Sequence, residues 1–92
     1  MIKQTLDIKI QNLKGLHARA TAAFVKTAER FESDITVEKS GELAVSGKSI
    51  MGLLMLAVPL GESIRITANG SDAIEAIKAL EDLINDRFGE GM

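Results

Sequence analysis

The chain of 92 residues has no cysteine, tryptophan or tyrosine, one proline, three phenylalanines and one histidine. Without Cys there is no thiol nucleophile, no disulfide framework, no Cys-ligated zinc and no iron–sulfur cluster. A lone His cannot build a multi-His metal site, and no Asp-rich loop of the calcium-binding kind is present, so neither metal nor cofactor is expected. Three Phe as the only aromatics are too few for a base-stacking platform. With 11 basic against 13 acidic residues and a net charge of −2, the chain also lacks the clustered Lys and Arg that grip a phosphate backbone. No nucleic-acid partner is expected. The N-terminus has no apolar stretch of signal-peptide type, and the most apolar run, Ile50 to Val58, falls far short of the roughly 20 residues that span a membrane. A cytoplasmic protein without membrane insertion is the expectation, and the absence of Cys agrees with it.

What is present is an ordinary globular composition, 46% hydrophobic and 26% charged. Its length implies a single domain, 1–92, with a core over about 4–88 and a short, frayed C-terminal tail from Gly89 to Met92. Residues 5–11 alternate, Leu6, Ile8 and Ile10 against Asp7, Lys9 and Gln11, which predicts a half-buried strand. From Ala18 to Phe31 the period becomes helical, with Ala20, Phe24, Ala28 and Phe31 forming a narrow stripe. Ile35 and Val37 restore alternation, and Ser40-Gly41 marks a tight turn into a second strand carrying Leu43 and Val45. Ser49 is the expected N-cap of a short helix from Ile50 to about Leu56, ended by Pro59 and Gly61. Ile64, Ile66 and Ala68 mark the fourth strand. Ser71 or Asp72 opens the last helix, Asp72 and Glu75 having capping-box spacing. Its stripe is Ile74, Ile77, Leu80, Leu83, Ile84 and Phe88, stopped near Gly89. The order β-α-β-β-α-β-α, with one apolar face per strand, predicts an α+β open-faced sandwich: a four-stranded, mainly antiparallel sheet with three helices on one face.

Three features bear on chemistry. His17 lies in Gly15-Leu16-His17-Ala18-Arg19-Ala20, where a loop enters the first helix. A lone His in a small domain is commonly an exposed or capping residue, but this position changes its meaning. The first N–H groups of a helix lack intrahelical partners and the dipole places positive potential there, so the end is an anion site. That potential favours an uncharged, nucleophilic imidazole over the cation. A phosphoryl group accepted by His17 would face the amides of Ala18 and Arg19, with the Arg19 guanidinium placed for a charge-assisted bond. Ser49, as an N-cap, is either that alone or also a phosphorylation site, since a phosphate is tolerated at a helix N-terminus. The segment after it is apolar nearly all round, so some of Ile50, Met51, Leu53, Leu54 and Met55 are expected to stay exposed as a docking patch; a short buried helix is the alternative.

Gly15-Leu16-His17-Ala18-Arg19, Phe24-Val25, Lys48-Ser49-Ile50-Met51-Gly52, Gly61 and Gly70 together closely resemble the HPr phosphocarriers of the bacterial phosphotransferase system, over about residues 4–88. The resemblance implies a stoichiometric carrier, not an enzyme. It accepts a phosphoryl group from phosphorylated Enzyme I on Nδ1 of His17, assisted by Arg19, and passes it to enzyme II A components. It also implies phosphorylation at Ser49 by HPr kinase/phosphorylase, as in some lineages, and a sheet order of 1-4-2-3; a monomer is the expectation. A regulatory module whose partner binding is gated by phosphorylation is the alternative function. Two positions depart from the usual pattern. Ala20 stands where most members have Pro, which the start of a helix accepts equally, and Lys14 stands where small or polar residues are more common. Gly-Leu-His-Ala-Arg-Ala is similar to the alphaproteobacterial variants, many of which serve a regulatory, nitrogen-related chain in place of sugar transport.

Overall fold

The alternating segments become strands because each offers the sheet one apolar face and leaves the other to water. In the structure, a computed structural model that describes residues 2–90, these are β1 (Lys3–Lys9), β2 (Asp34–Glu38), β3 (Val45–Ser46) and β4 (Ser63–Asn69). The helices are α1 (Ala18–Ala28), α2 (Ile50–Leu56) and α3 (Ala73–Asn85), followed by a 3₁₀ turn, Arg87–Gly89. The sheet order is β1-β4-β2-β3, every pair antiparallel. Ile35, Val37, Ile64, Ile66 and Ala68 turn inward against Ala20, Phe24, Leu53, Ala76, Leu80 and Ile84 of the helices, forming one core. Asp7 and Arg65 face each other in register on the outer side and pair at 2.8 Å, an exposed bridge that adds little to stability. The fold class and element order read from the sequence both hold, as does the sheet order implied by the resemblance.

Local details depart from the expectations, each for a physical reason. Strand β1 is shifted two residues toward the N-terminus of the expected 5–11, while Ile10 is buried just past its end, where its N–H donates to the Glu62 carbonyl at 3.0 Å. Helix α1 stops at Ala28 and not at Phe31, whose N–H closes a tighter bond to the Ala28 carbonyl at 3.2 Å. Ser40-Gly41 does form a turn, from Lys39 to Glu42 with Gly41 at φ +81°, the conformation a type II turn asks of Gly. The ladder resumes only at Val45, however, so Leu43 lies in the loop and is 89% exposed. In α3 the buried face is Ala73, Ala76, Leu80 and Ile84, which turns Ile74 out to solvent. Ala73, Ala76, Leu80 and Ile84 recur at helical spacing on one side of α3, and Ile74, one residue on from Ala73, falls about 100° round the helix from it.

The expected Asp72–Glu75 capping box is absent. Asp72 is the N-cap by position, but its carboxylate turns to the loop before β2 and accepts from Glu32 N–H at 2.9 Å, Ser33 N–H at 3.0 Å and Ser33 Oγ–H at 2.5 Å. The Ser33 hydroxyl first, then those amides, hold its carboxyl below the usual aspartate value. Asp72 thus staples the start of α3 to the start of β2.

Candidate functional site

His17 reaches its position through a loop with few free choices. Asn12 is fully buried and donates from Nδ2 to the Gly15 carbonyl at 2.8 Å. Leu16 N–H donates to the Val58 carbonyl at 2.8 Å, which ties the loop to the segment leaving α2. Leu16 is buried beside it, so the following residue is set at the mouth of α1. There His17 is the N-cap, with extended backbone (φ −88°, ψ −179°), and its carbonyl accepts the first helical bond from Thr21 N–H at 2.8 Å.

The ring itself, 28% exposed, takes part in the cap. Arg19 N–H donates to Nδ1 at 3.3 Å, and Nε2 meets Glu90 Oε2 at 2.5 Å. Glu90 Oε1 accepts from Asn12 Nδ2 at 2.9 Å. Burial of the Glu90 side chain pushes its carboxyl up. The bonds from Asn12 and His17 and the charges of His17 and Arg19 outweigh that push, leaving it below the usual glutamate value. Leu13, Lys14 and Arg19 complete a depression around His17 and Glu90. Lys14 and Arg19, two cations, and the Glu90 carboxylate thus share with His17 the depression at the start of α1, where the helix end favours an anion. A larger concavity, lined by Asp7, Glu38, Lys39 and Arg65 among others, lies on the outer side of the sheet and has no part in this geometry. Among the described residues no group of His, Asp or Glu could hold a metal ion, and no helix is long and apolar enough to cross a membrane.

Ser49 occupies the corresponding position on α2. Its backbone is extended, its Oγ accepts from Gly52 N–H at 3.0 Å, and its carbonyl accepts from Leu53 N–H at 3.1 Å. The patch expected after it is present with one correction. Ile50, Met51, Leu54 and Met55 are exposed, at 46, 68, 37 and 74%, whereas Leu53 is fully buried against the core. A seven-residue helix lying on a core must bury one side, and Leu53 with Leu56 supplies it.

These residues sit at the spacing of a known family. The family profile described as "PTS HPr component phosphorylation site" matches residues 4–86. The phosphocarrier protein HPr of Neisseria meningitidis serogroup A is 50% identical over 91 residues, 99% of each chain. That of Pseudomonas aeruginosa is 45% identical over 94% of this chain and 96% of its own. The chain belongs to the HPr family. In structure it is similar to HPr-C-His from Thermoanaerobacter tengcongensis, with a TM-score of 0.92, 48% identity and coverage of 97% of this chain and 99% of that one. HPr proteins are phosphocarriers of the phosphotransferase system, and that general role is this chain's as well.

Local spacing singles out His17, Ala18, Arg19 and Ser49 in the sequence but gives no sign of Asn12 and Glu90 beside His17. Glu90 falls in the segment read as a frayed tail. Instead Phe88 is buried, Gly89 N–H and Glu90 N–H donate to the Asp86 and Arg87 carbonyls, and the Glu90 side chain folds back onto the site. Residues 91 and 92, the rest of that tail, lie outside the described residues. The available signal is Phe88, an apolar residue three positions beyond the end of α3, followed by Gly89 and the last acidic side chain of the sequence, Glu90.

Proposed function

We propose that His17 is the phosphoryl acceptor, that its Nδ1 forms the bond, and that the group comes from phosphorylated Enzyme I and leaves to enzyme II A components. One observation carries this reading: His17 caps α1 with Nδ1 directed at the Arg19 amide, so the nucleophile and the donors that face its product share one helix end. The Arg19 side chain, exposed at the edge of the depression, is free to swing onto a transferred phosphate. Incubation with Enzyme I and phosphoenolpyruvate should add the mass of one HPO₃ group, labile in acid and located on the peptide containing His17. A chain that gains no such mass, or gains it elsewhere, overturns the reading.

The exposed face of α2 favours a docking role alongside the chemistry. Ile50, Met51, Leu54 and Met55 offer an apolar surface next to the His17 loop, to which α2 is joined through Val58. A phosphate on Ser49, placed there by HPr kinase/phosphorylase, would set about two negative charges at the edge of that surface. Ser49→Asp should weaken capture of Enzyme I about tenfold, as a misplaced rim charge does, while Ser49→Ala loses about 1 kcal/mol of helix capping and keeps the affinity. Equal capture by both, measured by titration calorimetry, removes the gate. We place the chain in the cytoplasm, as a monomer, and on the regulatory, nitrogen-related branch of the system. The support for the branch is Ala20 within Gly15-Leu16-His17-Ala18-Arg19-Ala20.

A further inference from the structure

Both ring nitrogens of His17 are engaged in the unphosphorylated protein, and their partners are of opposite kind. The Arg19 amide only donates, so Nδ1 receives its bond through a bare lone pair. Glu90 is a carboxylate that only accepts, so Nε2 carries the proton. The two contacts specify the same tautomer, the one whose Nδ1 is ready to attack.

Asn12 fixes Glu90 in turn. Its two contacts, the Gly15 carbonyl and Glu90 Oε1, are both acceptors, so the amide nitrogen must face them and the orientation of the amide admits no choice. The consequence is an Asn12 Oδ1 that is buried with no partner among the described residues. An orphaned buried carbonyl costs about 1–3 kcal/mol. The fold tolerates it where both amide hydrogens are spent on the His17 loop and on the carboxylate beside the ring.

We propose that Glu90, held by Asn12, is a positioning residue for the phosphoryl relay: it keeps the His17 proton on Nε2 and balances the charge that the ring gains when Nδ1 is phosphorylated. The inference rests on His17 being the acceptor. In the accepting step the Nδ1 lone pair attacks the phosphorus of a phosphorylated imidazole on the donor. The Nδ1–P bond forms as the donor's N–P bond breaks, and that bonding pair returns to the donor nitrogen. The proton on Nε2 stays where it is, so the His17 ring becomes a phosphoimidazolium, and its positive charge lies against the Glu90 carboxylate. In the donating step the N–P pair returns to Nδ1, and the ring leaves as the neutral tautomer it was before. No proton enters or leaves His17 in either direction, which suits a carrier that must work reversibly. Without Glu90, the Nε2 proton has no fixed acceptor and the cationic ring no counter-charge, as when the orienting carboxylate of a Ser-His-Asp triad is removed.

Glu90→Gln tests this, because Gln is of the same size and keeps an oxygen for Asn12 while losing the charge. In the parent, ¹⁵N spectra of the His17 ring at neutral pH should show a protonated Nε2 and an unprotonated Nδ1. In Glu90→Gln the two nitrogens should move toward averaged values as the tautomers mix. Phosphoryl uptake from phosphoenolpyruvate and Enzyme I should slow about tenfold, the worth of one charge-assisted hydrogen bond. Unchanged ring spectra or an unchanged rate in Glu90→Gln each overturn the proposal. Thermal unfolding of both proteins shows whether the variant is folded, and Asn12→Ala, which frees Glu90 without changing its charge, should mix the tautomers in the same way. A parent that takes up no phosphoryl group refutes the acceptor reading itself, whereas a parent that does so at the rate of Glu90→Gln refutes only the role of Glu90.

Discussion

The His17→Ala protein should fold and take up no phosphoryl group from Enzyme I: one acid-labile group per molecule in the parent, none in the variant. The fold survives because little rests on the ring. It accepts one long bond from Arg19 N–H, 3.3 Å, and its Nε2 meets Glu90; replacing an N-cap by Ala costs about 0.5–2 kcal/mol. For a domain of this size that lowers the melting temperature by about 4–8 °C for each kcal/mol lost. Glu90 keeps its bond to Asn12, so the carboxylate is not stranded. The chemistry does not survive because nothing replaces the nucleophile. The chain has no Cys and no second His, and a hydroxyl such as that of Ser49 attacks phosphorus only with a base beside it, whereas its Oγ has Gly52 N–H as its partner. Mass spectrometry after the Enzyme I reaction, with acid treatment as the control, reads the result. An acid-labile adduct on the variant would mean that the relay runs through another side chain.

The parts of this protein that could be read in its sequence are those set by local periodicity. Ile64, Ile66 and Ala68 alternate because β4 lies between β1 and β2 with one face on the core, and the pattern is as visible in the letters as in the fold. Ser49 was legible for a similar reason, since an N-cap acts on an amide three residues away, and here that amide is Gly52 N–H. Asp72 shows where such reasoning stops. Its spacing to Glu75 is that of a capping box, but its carboxylate finds three better-placed donors at Ser33 and Glu32, forty residues away in sequence. Glu90 is the stronger case. It stands 73 residues from His17, and only the path of α3 back across the sheet, ending in the buried Phe88, delivers it to the ring. Sequence periodicity carries no record of such a meeting. Leu53 is a smaller case: a run from Ile50 to Leu56 without a charged residue does not say which side faces the core, and only the seating of α2 on α1 and β3 separates Leu53 from its exposed neighbours.

Gly15→Ala is expected to damage both the fold and the relay, although the added group is a single methyl. Gly15 has φ +66°, a conformation that costs a residue with a Cβ about 1–2 kcal/mol. Space adds to the cost. A Cβ here would lie 2.3 Å from the Val58 carbonyl oxygen and 2.8 Å from Pro59 Cα, both backbone atoms that cannot rotate away. The loop and the 58–59 segment must then part by about 1 Å to reach ordinary contact. That separation strains the Leu16 N–H bond to Val58, 2.8 Å, worth about 1 kcal/mol. Together these give a loss of about 3 kcal/mol of unfolding free energy, readable by urea titration. His17 moves with the loop, because its N–H is bonded to the Gly15 carbonyl at 2.9 Å and the Asn12 amide grips that same carbonyl. A misplacement of about 1 Å in a reacting group costs about 100-fold in rate, so phosphoryl uptake should fall by that order even at temperatures where the variant is fully folded. Gly41→Ala separates the two effects. Gly41 also has positive φ, +81°, but a Cβ there meets nothing within 4 Å. It should lose about 1 kcal/mol and keep the parental transfer rate. If the two variants lose the same stability and transfer equally fast, the close approach of Gly15 to Val58 and Pro59 is not what sets His17 at the mouth of the helix.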